Sequence, residues 1–388
     1  MVRIEPAQSV FHNDRLLFYD CFRGLLGKLW IVAPCFATLW DEGPYPPRAL
    51  VAAPPVPLVG TTDGKGYISD VYLTEISTED KFFLGWGVAH PKIFYMHWNA
   101  VLFQFDVETV PGQYLILHYC TEEGKHEQPF LVPQVLGDYH SALTTLVHND
   151  AHILPEWMEY HRGLGVEHFY IYDNGSSDNL TEVLGDHATL IPWEHPYYYD
   201  APALPNPDQY GSIHGLGCQI PHQIHALYKY GPSCLWLGFI DDDEYINAPP
   251  LAELLDTENA VNLIGSVFYG PRVDDEAQHM VRKRYLYRQP FDDLRTFFSR
   301  RKPILQPRLF RAGERPIVHD VARYGQAHLN GRYDAFCEDG WCQFDPQIAR
   351  LNHYYDIGFN RNRIPWGRHE ARQEARYSSV LDASLAAD

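Results

Sequence analysis

Positive charge is scarce in this chain. Lysine and arginine total 31 against 50 aspartates and glutamates, a net charge of −19, and no long basic run occurs. Phosphate contacts need clustered Lys and Arg, so nucleic acid is disfavoured as a partner. Long apolar runs are missing too. The most apolar early stretch, residues 25–40, is shorter than the ~20 residues a bilayer span needs and carries Lys28 and Pro34, so no transmembrane segment is expected. The first residues, Met1-Val-Arg-Ile-Glu-Pro, lack a basic region followed by an apolar core, and no signal peptide is expected. Seven cysteines occur without a zinc-type Cys-x-x-Cys pair. Cys337 and Cys342 are spaced to bridge, but a chain without a secretion signal is expected to keep them as thiols. Together these absences predict a cytoplasmic location.

Core material, by contrast, is ample. Hydrophobic residues make up 45% of the 388, aromatics 14%, which is enough for two domains. Residues 1–138 read as a β-rich, sandwich-like accessory domain. Short apolar or alternating runs recur at 16–19, 28–33, 67–73, 101–107 and 113–119, punctuated by Pro, Gly and Asp. No catalytic constellation stands out there. Trp40, Trp86 and Trp98 either fill its core or line a sugar-binding face.

Residues 134–139 read as a linker, and 139–388 as the second domain. Its pattern is strand 142–147, helix 154–164, strand 168–172, short helix 180–184, strand 189–192, helix 218–230 and strand 234–240. Pro155 sits in the first turn of the first helix and Gly165 follows its end, the usual asymmetry of helix termini. Strand–helix alternation with short loops predicts βαβ units and a mainly parallel sheet.

The last of those strands carries the strongest signal. Cys234-Leu-Trp-Leu-Gly-Phe-Ile240 has no polar alternation, so it reads as buried on both faces. It runs straight into Asp241, Asp242, Asp243 and Glu244. Ligands of open α/β sheets bind beyond the carboxyl ends of the strands. Adjacent carboxylates there repel one another and resist desolvation, and a divalent cation with oxygen ligands offsets both. Asp241 and Asp243, two apart, would face one way, and alternation along an extended strand would point Asp242 the other way. A second strand ends in Asp173-Asn-Gly-Ser-Ser-Asp178, a turn whose carboxylate could accept hydrogen bonds from a nucleotide base or ribose. Asn174-Gly-Ser and Asn179-Leu-Thr have the form of glycosylation sequons. A glycan on Asn174 would block that turn, so the chain is expected never to meet the glycosylation machinery.

These residues resemble glycosyltransferase family 92. The resemblance lies in residues 142–178, densest from Glu156 to Asp178, and in Phe239-Ile-Asp-Asp-Asp-Glu-Tyr245. Lys302-Pro303, Val318-His319 and His353-Tyr354 extend it, so it covers roughly 142–355. The family implies a GT-A-like three-layer α/β domain with metal-dependent, inverting transfer of sugars such as galactose from UDP-sugars. By that resemblance Asn149 and Asp173 hold the uridine, with Asp241 and Asp242 also on the nucleotide-sugar. Asp241, Asp243 and His353 hold Mn²⁺ (or Mg²⁺), and His319 is the alternative histidine. His148 stands where the family has Lys, and Asp242 adds a third acid. After His353 the family pattern gives way to Arg361, Arg363, Arg368 and Arg372, read as a charged tail helix or as a grip on a diphosphate.

An inverting transfer also needs a base for the acceptor hydroxyl of a glycan. Asp274, Asp275 and Glu276 follow a glycine turn in the part of the chain where GT-A acceptor loops commonly fall, and Asp292 and Asp293 are alternatives. Three other readings stay open, one of them a metal-dependent glycoside hydrolase, whose chemistry rests on two opposed carboxylates rather than a contiguous run. A nucleotidyltransferase would use a glycine-rich basic loop at its first strand, which is absent. A non-catalytic carbohydrate-binding protein would not need the acids to be intact.

Overall fold

The computed structural model describes residues 2–12, 15–34, 56–57, 67–75, 87–96, 100–121, 123–134, 137–195, 218–269, 287–288, 294–317, 319–323, 332, 334–354 and 380–381. The architecture is mixed α/β, dominated by sheet. A nine-stranded sheet runs in the order Arg3–Ile4, Ala188–Pro192, His168–Asp173, Tyr139–Val147, Cys234–Phe239, Lys302–Leu305, Val261–Ile264, Trp341–Gln343, Phe336–Glu338. From Arg3–Ile4 through Cys234–Phe239 every pairing is parallel. Lys302–Leu305 then pairs antiparallel on both sides.

The sheet is covered on both faces, as the unalternated apolar strands require. Phe169 and Ile171 point into one core with Leu154, Trp157 and Met158 of the helix Leu154–Gly163. Their neighbours Tyr170 and Tyr172 point into the opposite core, with Ile220 and Ile224 of the helix Gln219–His225. Cys234–Phe239 is buried almost throughout, as its composition predicts. Gly238 is needed in its middle, since a Cβ there would lie 2.5 Å from Leu143 Cδ2. The expected single helix over 218–230 changes pitch instead. Gln219–His225 continues as a π-helical turn, Ala226–Tyr230.

Among the described N-terminal residues two larger sheets stand beside the short antiparallel pair Val10–His12 and Arg15–Phe18. One has four strands: Asp20–Arg23, Leu29–Pro34, Ala100–Phe105 and Lys92–Met96. The other contains Gly124–Leu131, Tyr114–Thr121 and Tyr67–Glu75. Leu29, Ile31, Val101 and Phe103 of the first meet Leu73, Leu115, Leu117 and Phe130 of the second in a shared core.

The described N-terminal residues meet the large sheet and its cores in two places. Arg3–Ile4 adds to its edge, in register with Thr189 and Leu190. The opposite face of the four-stranded sheet, with Tyr19, Phe22, Trp30 and Val32, joins the core formed by Ile220, Ile224, Leu227 and Tyr228. Approach there is close enough that a Cβ on Gly24 would lie 2.0 Å from the Tyr228 carbonyl oxygen. The reason is chemical: a four-stranded sheet with two apolar faces needs cover on both.

Cys337 and Cys342 are also corrected. They face each other across the antiparallel pair Phe336–Glu338 and Trp341–Gln343 and are joined as a disulfide. Asp339 and Gly340, both at positive φ, make the two-residue turn between them. Among the described residues no helix is long and apolar enough to cross a membrane. Trp40, Trp86, Trp98 and the four tail arginines lie outside the described residues.

Candidate active site

The strand order supplies the location. From Tyr139–Val147 the chain builds outward through His168–Asp173 to Ala188–Pro192, then returns to place Cys234–Phe239 on the other side of Tyr139–Val147. Between Tyr139–Val147 and Cys234–Phe239 lies the switch point, and the crevice beyond their carboxyl ends is where such sheets bind ligands. Residues 148–150 and 240–243 form its two lips.

The first lip is built by a strained residue. Asn149 has φ +62°, a left-handed conformation that Asn tolerates better than most side chains. Its Oδ1 accepts from Ser177 N (2.7 Å) and Ser177 Oγ (3.0 Å), while its own N–H donates to Ser176 Oγ at 2.9 Å. Asp173 Oδ1 accepts from Ser176 N at 2.8 Å. The expected uridine residues Asn149 and Asp173 are thus brought together, each with an oxygen spent on holding the 173–178 turn. His148 joins the same turn through Nδ1 and the Asn174 carbonyl, 2.7 Å apart.

Asn174 is buried, and its Nδ2 donates to the carbonyls of Trp193 (2.9 Å) and His195 (2.7 Å). Asn179 is exposed. Native protein from a secretory host is therefore expected to carry no glycan at Asn174, whatever its compartment, with Asn179 left as the sequon that reports it. Peptide mass mapping reads both sites, and a glycan on Asn174 in folded material counts against this packing.

The second lip departs from the sequence expectation. Residues 241–243 do not continue the strand but turn, with Glu244 N donating to the Asp241 carbonyl at 3.1 Å. Alternation therefore does not apply to Asp242. It is buried and lies near enough to Asp150 for the two carboxyls to act on each other. Burial raises the pKa of both, Asp150 to about 6, and the nearby Asp150 and Asp243 charges raise Asp242 further.

Asp241 and Asp243 separate. Lys302, itself 1% exposed at its side chain, reaches Asp241 Oδ2 at 2.5 Å and lies 3.5 Å from Glu244 Oε2. Burial would raise the Asp241 pKa, but the Lys302 ammonium outweighs it and holds that carboxyl below its ordinary range. Asp243 instead faces His353, with Nε2 3.4 Å from Oδ2. Burial would lower the His353 pKa, yet Asp243, Glu244 and Asp241 raise it to about 9. Glu244 ties the halves together. It accepts from Asp241 N at 3.0 Å, lies 3.5 Å from His353 Nδ1, and is pushed up to about 7 by burial. Pairing of Glu244–Asn247 with Arg350–His353 puts Glu244 and His353 in register.

Of the proposed metal residues, the structure thus joins Asp243 with His353 and turns Asp241 to Lys302. Burial, and then Lys302 and Arg300, push the His319 pKa well below the ordinary value, against the pull of Asp241. Among the described residues no three His, Cys, Asp or Glu side chains gather as a preformed metal cage. Asp243 Oδ1 and Asp242 Oδ2 are buried without hydrogen-bond partners. Asp274, Asp275, Glu276, Asp292 and Asp293 lie outside the described residues.

Sequence reasoning gave no role to Asp150 or Lys302. Asp150 was visible as the end of a polar strand terminus. Lys302 opens the apolar run Pro303-Ile-Leu305, and a lysine entering a buried strand implies a carboxylate partner.

Comparison with known proteins bears on the same residues. A glycosyltransferase family 92 protein of Oryza sativa subsp. japonica is 30% identical over 113 residues, which is 27% of this chain and 16% of that protein. One of Ricinus communis is 32% identical over 113 residues, 29% of this chain and 17% of the relative. One of Arabidopsis thaliana is 31% identical over 105 residues, 27% and 16% respectively. The matched stretch spans less than a fifth of each curated relative. The sequence model described as glycosyltransferase family 92 matches residues 141–375, a span that holds both lips of the crevice, Lys302 and His353. With more than half of its length in that match, the chain belongs to glycosyltransferase family 92.

Proposed function

We propose that the chain is a glycosyltransferase with a GT-A-like arrangement, moving a sugar from a nucleotide-sugar, a UDP-sugar first, to a glycan hydroxyl with inversion. The observation that carries this reading is the meeting of two acid-bearing strand ends at the switch point, with buried oxygens of Asp242 and Asp243 left unpaired.

A divalent cation, Mn²⁺ or Mg²⁺, fits this donor set in one form only. Asp243 and His353 would hold it, since such cations take one or two protein carboxylates and complete their shell with substrate phosphates and water. When bound it would neutralise the charge developing on the leaving diphosphate. Asp241 is held by Lys302 and contributes through the turn it anchors. Asn149 and Asp173 keep the 173–178 turn in place for the nucleoside. Asp274, Asp275 and Glu276 supply the candidates for deprotonating the acceptor hydroxyl as it attacks the anomeric carbon from the face opposite the leaving group.

The test is a donor screen with Mn²⁺ and a panel of UDP- and GDP-sugars plus mixed glycan acceptors, reading release of nucleoside diphosphate. UDP release from at least one donor is expected, and none from any donor removes the reading. Asp243→Asn is expected to lower turnover by about 100-fold or more, the scale of a few kcal/mol of lost charge stabilisation. Its circular dichroism should be unchanged. Near-normal Mn²⁺-dependent turnover in this variant would move the cation elsewhere.

A further inference from the structure

None of the crevice residues named above comes from the N-terminal sheets, yet one residue of that region packs directly against the segment that holds the first lip. Tyr19 joins the strands Arg15–Phe18 and Asp20–Arg23 and is fully buried. Its N–H donates to the Val32 carbonyl at 2.8 Å, and its own carbonyl accepts from Ser9 Oγ at 2.9 Å. The ring is thereby presented from a backbone fixed on both sides. It stacks on Trp193, with centroids 5.1 Å apart and planes at 12°, and makes a T-shaped contact with His195 at 4.7 Å. Aromatic pairs of these geometries stabilise beyond the area they bury, and they fix relative orientation.

Trp193 and His195 follow the end of the strand Ala188–Pro192. Trp193 N–H donates to the Asp173 carbonyl at 2.7 Å, and His195 N–H donates to the Trp193 carbonyl at 2.7 Å, which folds the segment into a γ-type turn. That turn brings two carbonyls to one side chain. Asn174 Nδ2 donates to Trp193 O at 2.9 Å and to His195 O at 2.7 Å. Asn174 N–H in turn donates to the Val147 carbonyl at 2.9 Å, and its own carbonyl lies 2.7 Å from His148 Nδ1. The 173–178 turn is thus held through Asn174, and Asn174 through two carbonyls whose segment rests on the Tyr19 ring.

We propose that Tyr19 is a positioning residue for the nucleoside end of the site, acting through Trp193, His195 and Asn174 on the 173–178 turn. This rests on the nucleotide-sugar reading above. It gives the N-terminal region a part in donor binding that residues 139–388 do not carry alone. Tyr19 touches no substrate in this role; it sets where the turn stands.

The experiment measures UDP affinity by calorimetry with Mn²⁺ present, and backbone amide exchange of the turn without ligand. The Ser176 and Ser177 amides, held by Asp173 Oδ1 and Asn149 Oδ1, report on the turn. Tyr19→Leu is expected to weaken UDP binding about 10-fold, the scale of one misplaced hydrogen-bonded contact, and to speed exchange of those amides. Tyr19→Met, with a more adaptable side chain, carries the same comparison if leucine prevents folding. Tyr19→Phe keeps the ring and should restore wild-type affinity. Trp30 lies in the same core but packs on Tyr228, with ring centroids 4.7 Å apart. Trp30→Leu should therefore lower stability without changing UDP affinity. Tyr19→Leu combined with Asn174→Ala should bind UDP no more weakly than Asn174→Ala alone, because the two residues act in series. Equal losses of affinity in Tyr19→Leu and Trp30→Leu would make Tyr19 merely structural, and that result overturns the proposal. So do additive losses in the double variant, or a Tyr19→Phe as weak as Tyr19→Leu. If wild type binds no UDP, the nucleotide-sugar reading itself fails and takes this one with it. UDP binding that Tyr19→Leu and Tyr19→Met leave unchanged overturns this inference alone.

Discussion

Asp20→Ala is expected to destabilise the whole chain by about 3–5 kcal/mol, the scale of breaking a buried ion pair from one side. Asp20 lies on the four-stranded N-terminal sheet and is fully buried. Its Oδ2 receives Lys229 Nζ at 2.8 Å and His225 Nε2 at 2.8 Å, both from the helical segment of the second region. Its Oδ1 accepts from the backbone N–H groups of Gln8 (2.9 Å) and Cys21 (2.8 Å). His225 is fixed from the other side by the Tyr172 hydroxyl, 2.6 Å from Nδ1. Burial would raise the Asp20 pKa, but the Lys229 charge and the His225 hydrogen bond outweigh it and hold the carboxyl far below its usual range. Alanine would strand a buried ammonium in a pocket shared with Phe22 and Tyr230. The double variant Asp20→Asn with Lys229→Met removes both charges and should recover most of the loss, because the cost comes from the unpaired ion. Urea unfolding of the three proteins reads this directly. A loss below about 1 kcal/mol in Asp20→Ala would place the triad outside the stabilising interactions. By the same logic, residues 139–388 expressed alone should be poorly soluble, since Lys229 and the apolar residues around it would lose their cover.

That link explains what could and could not be read from residues in order. The strand Cys234–Phe239 and its acids were legible because the signal is local: an unbroken apolar run meets four carboxylates within eleven residues of chain. The helix Leu154–Gly163 was legible for the same reason, through Pro155, Gly165 and the buried face of Leu154, Trp157, Met158 and His161. Asp20 pairs with residues 205 and 209 positions away, and no pattern near Asp20 predicts either. Arg3–Ile4 is two residues long and carries no periodicity, so its place on the sheet edge comes from tertiary pairing alone. The bridge between Cys337 and Cys342 was set aside on compartment grounds, although the Asp339-Gly340 turn between them is a local hairpin signal. Within the site the error was one of geometry. Treating residues 241–243 as extended gave Asp241 and Asp243 a shared side, whereas the turn that begins at Asp241 sends them to different partners, Lys302 and His353.

Lys302→Met is expected to cost about 3–5 kcal/mol of stability and most of the activity. Lys302 is the shared cation of Asp241 and Glu244, the only ion-pair partner Asp241 has among the described residues. Its pKa is raised because those two carboxylates, with Asp243, outweigh the burial that would lower it. Methionine fills the same space without charge. Asp241 would then lose what keeps it ionised, and Glu244, already raised to about 7, would rise further. Glu244 also receives the Asp241 N–H and sits beside His353 Nδ1, so disorder there reaches the Asp243–His353 pair. The stability loss should shrink at low pH. As pH falls, Asp241, whose folded pKa is depressed, takes up a proton and no longer needs the ammonium, so the wild-type advantage conferred by this pair fades below the ordinary carboxylate range. Denaturation midpoints of wild type and Lys302→Met at neutral pH and near pH 2, below the depressed Asp241 pKa, check both statements. Equal stabilities at neutral pH would mean that Asp241 is satisfied without Lys302, and a gap that widens on acidification would reverse the sign argued here.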